Sequence, residues 1–175
     1  MTRRPPQAVV IGDSDPSPEA YLAAEEAGRI LASLGITVVT GGRSGIMEAA
    51  CKGAKAAGGM TVGILPSDEL SDANQYCDVV IPTGLSHGRN AITVLAGDCI
   101  IAIGGGAGTL SEISFAWMHN KPIFTLKGYG GWADTVGGSA LDQRSDDVII
   151  ECQNIDDLRN KVINICNQFN LPIKT

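Results

Sequence analysis

The sequence has few charged and few aromatic side chains, and it has no basic cluster to which a polyanion could bind. Charged residues make up 18% of the 175 residues and aromatic residues 5%, whereas soluble domains carry roughly 25% charged residues. Thirteen Lys and Arg against nineteen Asp and Glu give a net charge of −6, and no basic run exists beyond Arg3 and Arg4. We therefore expect neither a nucleic-acid nor a membrane partner. An anionic ligand must be held locally, by backbone amides and one or two cations.

The chain also lacks the spacings of metal sites and disulfide frameworks. Its two histidines, His87 and His119, have no ligand spacing, so no structural metal is expected. No apolar run approaches the ~20 residues that span a bilayer, and the amino-terminal stretch has no secretory apolar region. The cysteines are odd in number, contain no C-x-x-C pair and fall partly in apolar stretches, which predicts buried free thiols in a reducing, cytoplasmic compartment. They are Cys51, Cys77, Cys99, Cys152 and Cys166.

Two nucleotide-binding fingerprints are missing. In the segment I-G-G-G-A-G-T-L-S-E-I, residues 103–113, a G-x-G-x-x-G motif that starts at Gly104 or Gly106 would need its last glycine at Thr109 or Ser111. The first turn after a strand reads G-D-S-D-P instead, so we expect no NAD cofactor. The P-loop signature G-K-[ST] is absent as well.

What is present is a regular alternation of apolar strands and helical stretches. Because the strands are nearly continuous apolar runs, the pattern predicts a parallel sheet with helices on both faces. We expect one Rossmann-like α/β domain over residues 1–175, a three-layer sandwich with about seven strands. Strands are predicted at 7–11, 37–40, 61–65, 78–81, 99–103, 122–126 and 148–151. Helices are predicted at 18–34, 46–57, 88–96, 109–120 and 155–169, with a glycine-rich loop at 128–146.

The turns after several strands are unusually rich in glycine, and the carboxyl ends of the strands are where such sheets bind ligands. Bare amides at the start of a helix form an anion site, and glycine lets a ligand approach the backbone. The alternative is a set of sharp turns without a ligand. The ligand-binding candidates in these turns are Gly12, Ser14, Gly41, Gly42, Arg43, Ser44, Gly105, Gly106, Ala107, Gly108 and Thr109.

The end of the second glycine-rich segment has two interpretations. Thr109-Leu-Ser-Glu112 fits a capping box, in which Thr109 is the N-cap and Glu112 folds back onto its amide. Alternatively, Glu112 points across the ends of the strands as a catalytic or ligand-binding carboxylate. The local pattern favours the cap.

Arg89 is the cation that best suits a ligand role. An arginine at a predicted helix start is slightly unfavourable against the helix dipole, and its guanidinium can pair with a phosphate or carboxylate through two bonds. Its neighbour Asn90 joins it as a candidate, while His87 alone is weak evidence. Trp132, in the glycine-rich loop, is either a cover for a ligand or a seal on the core.

Arg89 together with Gly105-Gly106-x-Gly108-Thr109-x-x-Glu112 resembles the LONELY GUY/molybdenum-cofactor-carrier superfamily of Rossmann-like proteins. The likeness covers most of the chain and extends to the G-G-R-S-G-I-M stretch at 41–47. It implies a phosphorylated small-molecule ligand and self-association as a dimer or tetramer. We expect no pyridoxal phosphate, because a decarboxylase would need a lysine to hold it and none of the lysines Lys52, Lys55, Lys121 and Lys127 has a supporting context.

The superfamily has two branches with different functions. In the hydrolase branch, Glu112 would activate water or engage the ribose of an N6-substituted AMP, and Arg89 would assist. Gly105, Gly106, Gly108 and Thr109 would hold the 5′-phosphate. This chain has Gly104 where the hydrolases have Pro, and Asn90 where they have Lys. It looks more like the carrier branch, which implies molybdenum cofactor as the bound ligand. Binding of a free nucleotide without turnover is the third possibility.

Overall fold

The chain alternates strands and helices along its length, as the hydrophobic pattern predicts. A computed structural model describes residues 4–143 and 147–174. The strands are β1 (Gln7–Gly12), β2 (Thr37–Thr40), β3 (Thr61–Leu65), β4 (Val79–Pro82), β5 (Cys99–Ile103), β6 (Ile123–Leu126) and β7 (Ile150–Cys152). The helices are α1 (Pro18–Ser33), α2 (Ile46–Ala56), α3 (Arg89–Leu95), α4 (Ala107–Met118), α5 (Gly131–Val136) and α6 (Ile155–Gln168). The ends of the predicted elements move by no more than two residues.

All seven strands form one parallel sheet in the order β4-β3-β2-β1-β5-β6-β7. Each residue of β5 is buried, as expected for a strand covered on both faces. Strand β1 pairs with β2 on one side and with β5 on the other, so the strand order reverses at β1. The carboxyl ends of β1 and β5 therefore flank the crevice in which sheets of this kind bind ligands.

Two hydrophobic cores lie on opposite faces of the sheet, which confirms the three-layer prediction. Successive side chains of a strand point to opposite faces. Ala8 and Val10 accordingly pack with α1, α2 and α6, while Val9 and Ile11 pack with α3, α4 and α5. Each fully buried Val or Ile side chain among them contributes roughly 1.5–3 kcal/mol. No helix in the two described ranges is long and apolar enough to cross a bilayer.

Two of the described helices, α1 and α6, directly follow a residue whose side chain caps them. The Ser17 hydroxyl accepts a hydrogen bond from the Ala20 amide, and Pro18 occupies the first helical position of α1. Gly35 ends that helix with a φ of +76°, as its position predicts. The Asn154 side chain caps α6 in the same way as Ser17, by accepting from the Asp157 amide.

The prediction of an unbroken loop over 128–146 is wrong, because that stretch contains α5. The Asp134 carboxylate accepts hydrogen bonds from the amides of Gly128 and Gly130, both at 2.9 Å. The α5 amides of Trp132 and Ala133 donate to the carbonyls of Gly105 and Gly104, in the glycine-rich turn after β5. These long-range bonds stabilise a helix of six residues whose glycine content hides it from pattern analysis. Residues 144–146 of the predicted loop lie outside the described ranges.

Candidate functional site

A cavity of about 270 Å³ opens at the point where the strand order reverses, beyond the carboxyl ends of β1 and β5. Its wall comes from the turn after β1, the turn before α2, the start of α3 and the start of α4. The residues of the wall are Gly12, Asp13, Ser14, Arg43, Met47, His87, Arg89, Asn90, Gly106, Gly108, Thr109 and Glu112.

Most of the residues predicted as ligand-binding from the sequence meet in this wall. Five of the predicted residues lie outside it. Ser44 and Ala107 are exposed beside the cavity, and the Ser44 hydroxyl donates to the Ser14 carbonyl. The other three are the buried glycines Gly41, Gly42 and Gly105. Their positions are therefore behind the wall, where they shape the turns.

Arg89 is a buried cation with unused hydrogen-bonding capacity. Its relative exposure is 8%, and its Nε has no hydrogen-bond partner among the described residues. Gly41 makes room for it, since a Cβ at that glycine would lie 2.2 Å from Arg89 Nη1. Burial lowers the pKa of Arg89, although a guanidinium stays protonated in proteins. A buried charge without full pairing is costly, so this side chain is well suited to bind an anion.

Glu112 lies opposite Arg89 but is only loosely paired with it. The distance from Glu112 Oε1 to Arg89 Nη1 is 3.9 Å, which is too long for a hydrogen bond. Burial raises the pKa of Glu112 to about 7, and the nearby Arg89 charge only partly opposes that shift. Near neutral pH the carboxyl group can therefore either donate or accept a proton.

The capping-box prediction is wrong. Helix α4 begins at Ala107, its N-cap is Gly106, and no side chain caps it. Thr109 is the third residue of the helix, and Glu112 extends into the cavity instead of back to an amide. The physical reason is the turn: Gly104 and Gly105, with φ of +61° and +98°, reverse the chain within two residues. The helix then starts before Thr109 can act as its cap.

The start of α4 presents free amides to the cavity. The first bond at this end of the helix runs from the Leu110 amide to the Gly106 carbonyl at 3.0 Å, so the earlier amides have no partner within the helix. Gly106 and Gly108 line the cavity, and a Cβ at either would meet no atom within 4 Å. Open amides at the positive end of a helix are an anion-binding arrangement.

Asp13 is a wall residue that the sequence analysis missed. Its Oδ2 accepts a hydrogen bond from the Gly105 amide at 2.8 Å, and its main-chain carbonyl accepts from the Ile46 amide at 2.9 Å. It therefore fastens the turn after β1 to the turn after β5 and to the start of α2. The sequence feature that could have identified Asp13 is its position directly after β1, the strand at which the strand order reverses.

Met47 and His87 also line the cavity, although the sequence did not predict them as ligand-binding residues. Met47 lies in the first turn of α2, directly after the G-G-R-S-G stretch, and His87 is two residues before Arg89. His87 and Arg43 are exposed at the mouth of the cavity. Asn90 is buried, and its side-chain amide donates to the Ser111 hydroxyl at 2.7 Å. The cavity thus has one buried cation and two exposed basic side chains.

Other features of the molecule are weaker candidates. A larger cavity of about 380 Å³ lies at the amino ends of β6 and β7, with a mainly apolar wall, and Lys121 beside it donates to the Gly97 carbonyl. Trp132 is exposed and is not part of the wall around Glu112. In the described ranges no group of three His, Cys, Asp or Glu is placed to hold a metal ion.

The fold and the site define a Rossmann-like α/β protein with an Arg–Glu cavity at the point of strand reversal. The SLOG cluster4 family model matches residues 6–159. The chain belongs to that family, which confirms the resemblance to the LONELY GUY/molybdenum-cofactor-carrier superfamily.

Known relatives and solved structures point to the two branches. The cytokinin riboside 5′-monophosphate phosphoribohydrolase of Mycobacterium tuberculosis is 34% identical over 134 residues, which are 70% of this chain and 71% of that protein. The molybdenum cofactor binding protein of Rippkaea orientalis is 32% identical with a TM-score of 0.84, over 94% of this chain and 99% of that chain. The molybdenum cofactor carrier protein of Chlamydomonas reinhardtii is 28% identical with a TM-score of 0.79, over the same 94% and 99%.

Proposed function

We propose that this protein binds a phosphorylated small molecule between Arg89 and the start of α4, and that it is a molybdenum cofactor carrier. The observation that carries the proposal is the buried guanidinium of Arg89, whose Nε has no partner among the described residues, in the same cavity wall as the open amides of α4. A phosphate supplies acceptors for both, through charge-assisted hydrogen bonds. Gly106 and Gly108 leave space for its oxygens.

The cavity fits the phosphate-bearing end of such a ligand better than a whole ligand. At about 270 Å³ it lies below the usual range of small-molecule pockets, roughly 300–1,000 Å³. The remainder of the ligand then extends past the mouth, toward Ser14, Arg43 and His87, all of which are exposed.

Two departures from the hydrolase pattern favour a carrier. The chain has Asn90 in place of a second basic residue, and Asn90 is bonded to Ser111. It also has Gly104 in place of Pro, with a φ of +61° that proline cannot adopt. The turn into α4 therefore differs in shape from a turn that begins with proline. The similarity to the two molybdenum cofactor proteins extends over 94% of the chain.

The second candidate function is phosphoribohydrolysis of AMP or an N6-substituted AMP. Glu112 favours it, because a carboxyl group with a pKa of about 7 suits proton transfer at neutral pH. In that reaction the bond from the base nitrogen to ribose C1′ breaks and water adds at C1′. A carboxylate next to C1′ stabilises the positive charge that develops there, by analogy with glycoside hydrolysis.

One experiment separates the two functions. The protein is purified from its own cells, and the bound material is released and analysed by mass spectrometry and pterin fluorescence. We expect a phosphorylated pterin that is lost in Arg89→Met and kept in Arg159→Met, which removes an exposed arginine of α6. The same preparations are incubated with AMP and N6-substituted AMP.

Each outcome decides between the candidates. Release of ribose 5-phosphate that Glu112→Gln abolishes would overturn the carrier and support the hydrolase. Reversible AMP binding with neither turnover nor a bound pterin would support a nucleotide-binding module. Self-association and a cytoplasmic location stay predictions, and light scattering of the purified protein tests the first of them.

A further inference from the structure

Two of the free cysteines lie side by side, away from the cavity. Cys51 is on α2, and its Sγ is 3.5 Å from the Thr40 hydroxyl at the end of β2. Cys77 precedes β4, and its Sγ lies against Gly63 of β3, where a Cβ would be only 2.7 Å away. Thr40 and Gly63 are register partners on neighbouring strands. The sheet therefore brings together two thiols that are far apart in sequence.

The two thiols influence each other's ionisation. Their mutual interaction is the main cause by which the pKa of Cys51 falls and the pKa of Cys77 rises. The Thr40 hydroxyl also hydrogen-bonds to Cys51, and both Thr40 and the nearby Asn74 lower the pKa of Cys51 against the effect of burial. One sulfur can therefore carry the charge while the other keeps its proton. Cys99 differs from this pair, because burial is the largest influence on its thiol and raises its pKa.

The pair is also connected to a loop of the candidate site. Three residues before Cys77, the Asn74 amide donates to the Gly42 carbonyl at 2.8 Å, and the Asn74 side chain donates to the Arg43 carbonyl at 3.0 Å. Cys77 is partly exposed, whereas Cys51 is fully buried. A small oxidant can therefore reach the pair from the Cys77 side.

We propose that Cys51 and Cys77 form a reversible disulfide that ties the segment before β4 to α2 and restrains the Gly42–Arg43 turn. Cys51, whose pKa is the lower of the two, loses its proton, and hydrogen peroxide oxidises the thiolate to a sulfenic acid with loss of hydroxide, which takes up the released proton to give the first water. The Cys77 sulfur then attacks the sulfenic sulfur and gives up its own proton, and the second oxygen leaves as water. In sum, two thiols and one hydrogen peroxide give one disulfide and two water molecules.

This inference does not depend on the ligand that the cavity binds. The full chain is treated with hydrogen peroxide, the remaining thiols are alkylated, and the protein is digested with trypsin. Cys51 and Cys77 fall in separate peptides, 44–52 and 56–89. We expect these two peptides to be joined after oxidation and separated again by dithiothreitol.

Two physical measurements accompany the mapping. A disulfide that closes the loop from Cys51 to Cys77 is expected to raise Tm by about 5–10 °C. The Asn74 amide donates a hydrogen bond to the Gly42 carbonyl, and its hydrogen exchange is expected to slow by roughly tenfold. Cys77→Ser abolishes the link and both shifts, while the matched variant Cys166→Ser, on α6, keeps them.

The opposite results would overturn the proposal. They are a sulfenic or sulfinic acid on Cys51 or Cys77 without the link, or links that join the five cysteines at random. Because Cys51→Ser changes a fully buried position, Cys77→Ser is the primary variant, and its unoxidised Tm must match that of the wild type.

Discussion

The two glycine-rich loops, 41–45 and 104–108, are similar in the sequence, yet their glycines serve different purposes. In the first loop a Cβ at Gly45 would lie 2.3 Å from the Asp13 carbonyl oxygen, and one at Gly41 would lie 2.2 Å from Arg89 Nη1. In the second loop a Cβ at Gly106 or Gly108 would meet nothing within 4 Å. The first loop needs glycine because of the protein's own packing, whereas the end of the second leaves open space.

The difference shows what a count of glycines can indicate. Several glycines in a turn predict a sharp or crowded backbone just as well as they predict a ligand. The two explanations, a crowded backbone and a bound ligand, can be separated only by the atoms that a Cβ at each glycine would meet. Glycines that nothing in the fold requires, at the start of a helix and next to a buried arginine, are the ones that point to binding.

The largest expected effect comes from Gly45→Ala, which attacks the packing role of the first loop. Gly45 has a φ of +72° and no room for a Cβ, so we expect the unfolding free energy to fall by about 3 kcal/mol or more. Gly58→Ala is the matched control, because its φ is +70° but no atom lies within 4 Å. It should cost about 1 kcal/mol. Equal losses in urea denaturation would show that crowding at Gly45 is unimportant.

Glu112→Gln tests the buried carboxyl behind the second loop. Since burial raises the pKa of Glu112 to about 7 from 4.5, its contribution to stability is present in full below pH 4.5. That contribution is lost as the pH rises through about 7. The wild type should therefore lose about 2–3 kcal/mol relative to Glu112→Gln over that range. Denaturation at several pH values measures it, with the exposed Glu69→Gln as control, and a pH-independent difference would contradict it.

Gly108→Ala separates binding from folding in the second loop. Alanine suits the first turn of α4, so the unfolding free energy should stay the same or rise by about 0.5–1 kcal/mol. The added methyl group stands between a ligand oxygen and the amides, and we expect the affinity for AMP, as a phosphate-bearing probe, to fall about tenfold or more. Calorimetric titration measures the affinity. Unchanged AMP binding would argue that the open space has no ligand role.

Arg43→Gln should have the smallest effect of the series. Arg43 is exposed at the mouth of the cavity, so its charge is screened by solvent and salt. We expect the affinity for AMP to fall about threefold at low salt and by less at higher salt. A loss as large as that of Arg89→Met would show that the first loop also binds the ligand strongly.

The sequence by itself determined the strands, the described helices other than α5, and the parallel sheet with helices on both faces. Strand β5 is continuously apolar and is buried on both faces, and Gly35 ends α1 where its position predicts. These features depend on side-chain periodicity and local backbone preferences. Residues that are close in sequence are enough to predict them. The same reasoning placed the glycine-rich turns and Arg89 at the carboxyl ends of the strands.

Only the tertiary structure decided what those residues do. It buried Arg89 opposite Glu112, although 22 residues separate them, added Asp13 to the wall and placed Cys51 near Cys77. It also replaced the predicted cap at Thr109 and produced α5 through bonds to a distant turn. The reason is that burial, pKa and pairing depend on groups that are close in space and distant in sequence, and a local pattern contains no information about them.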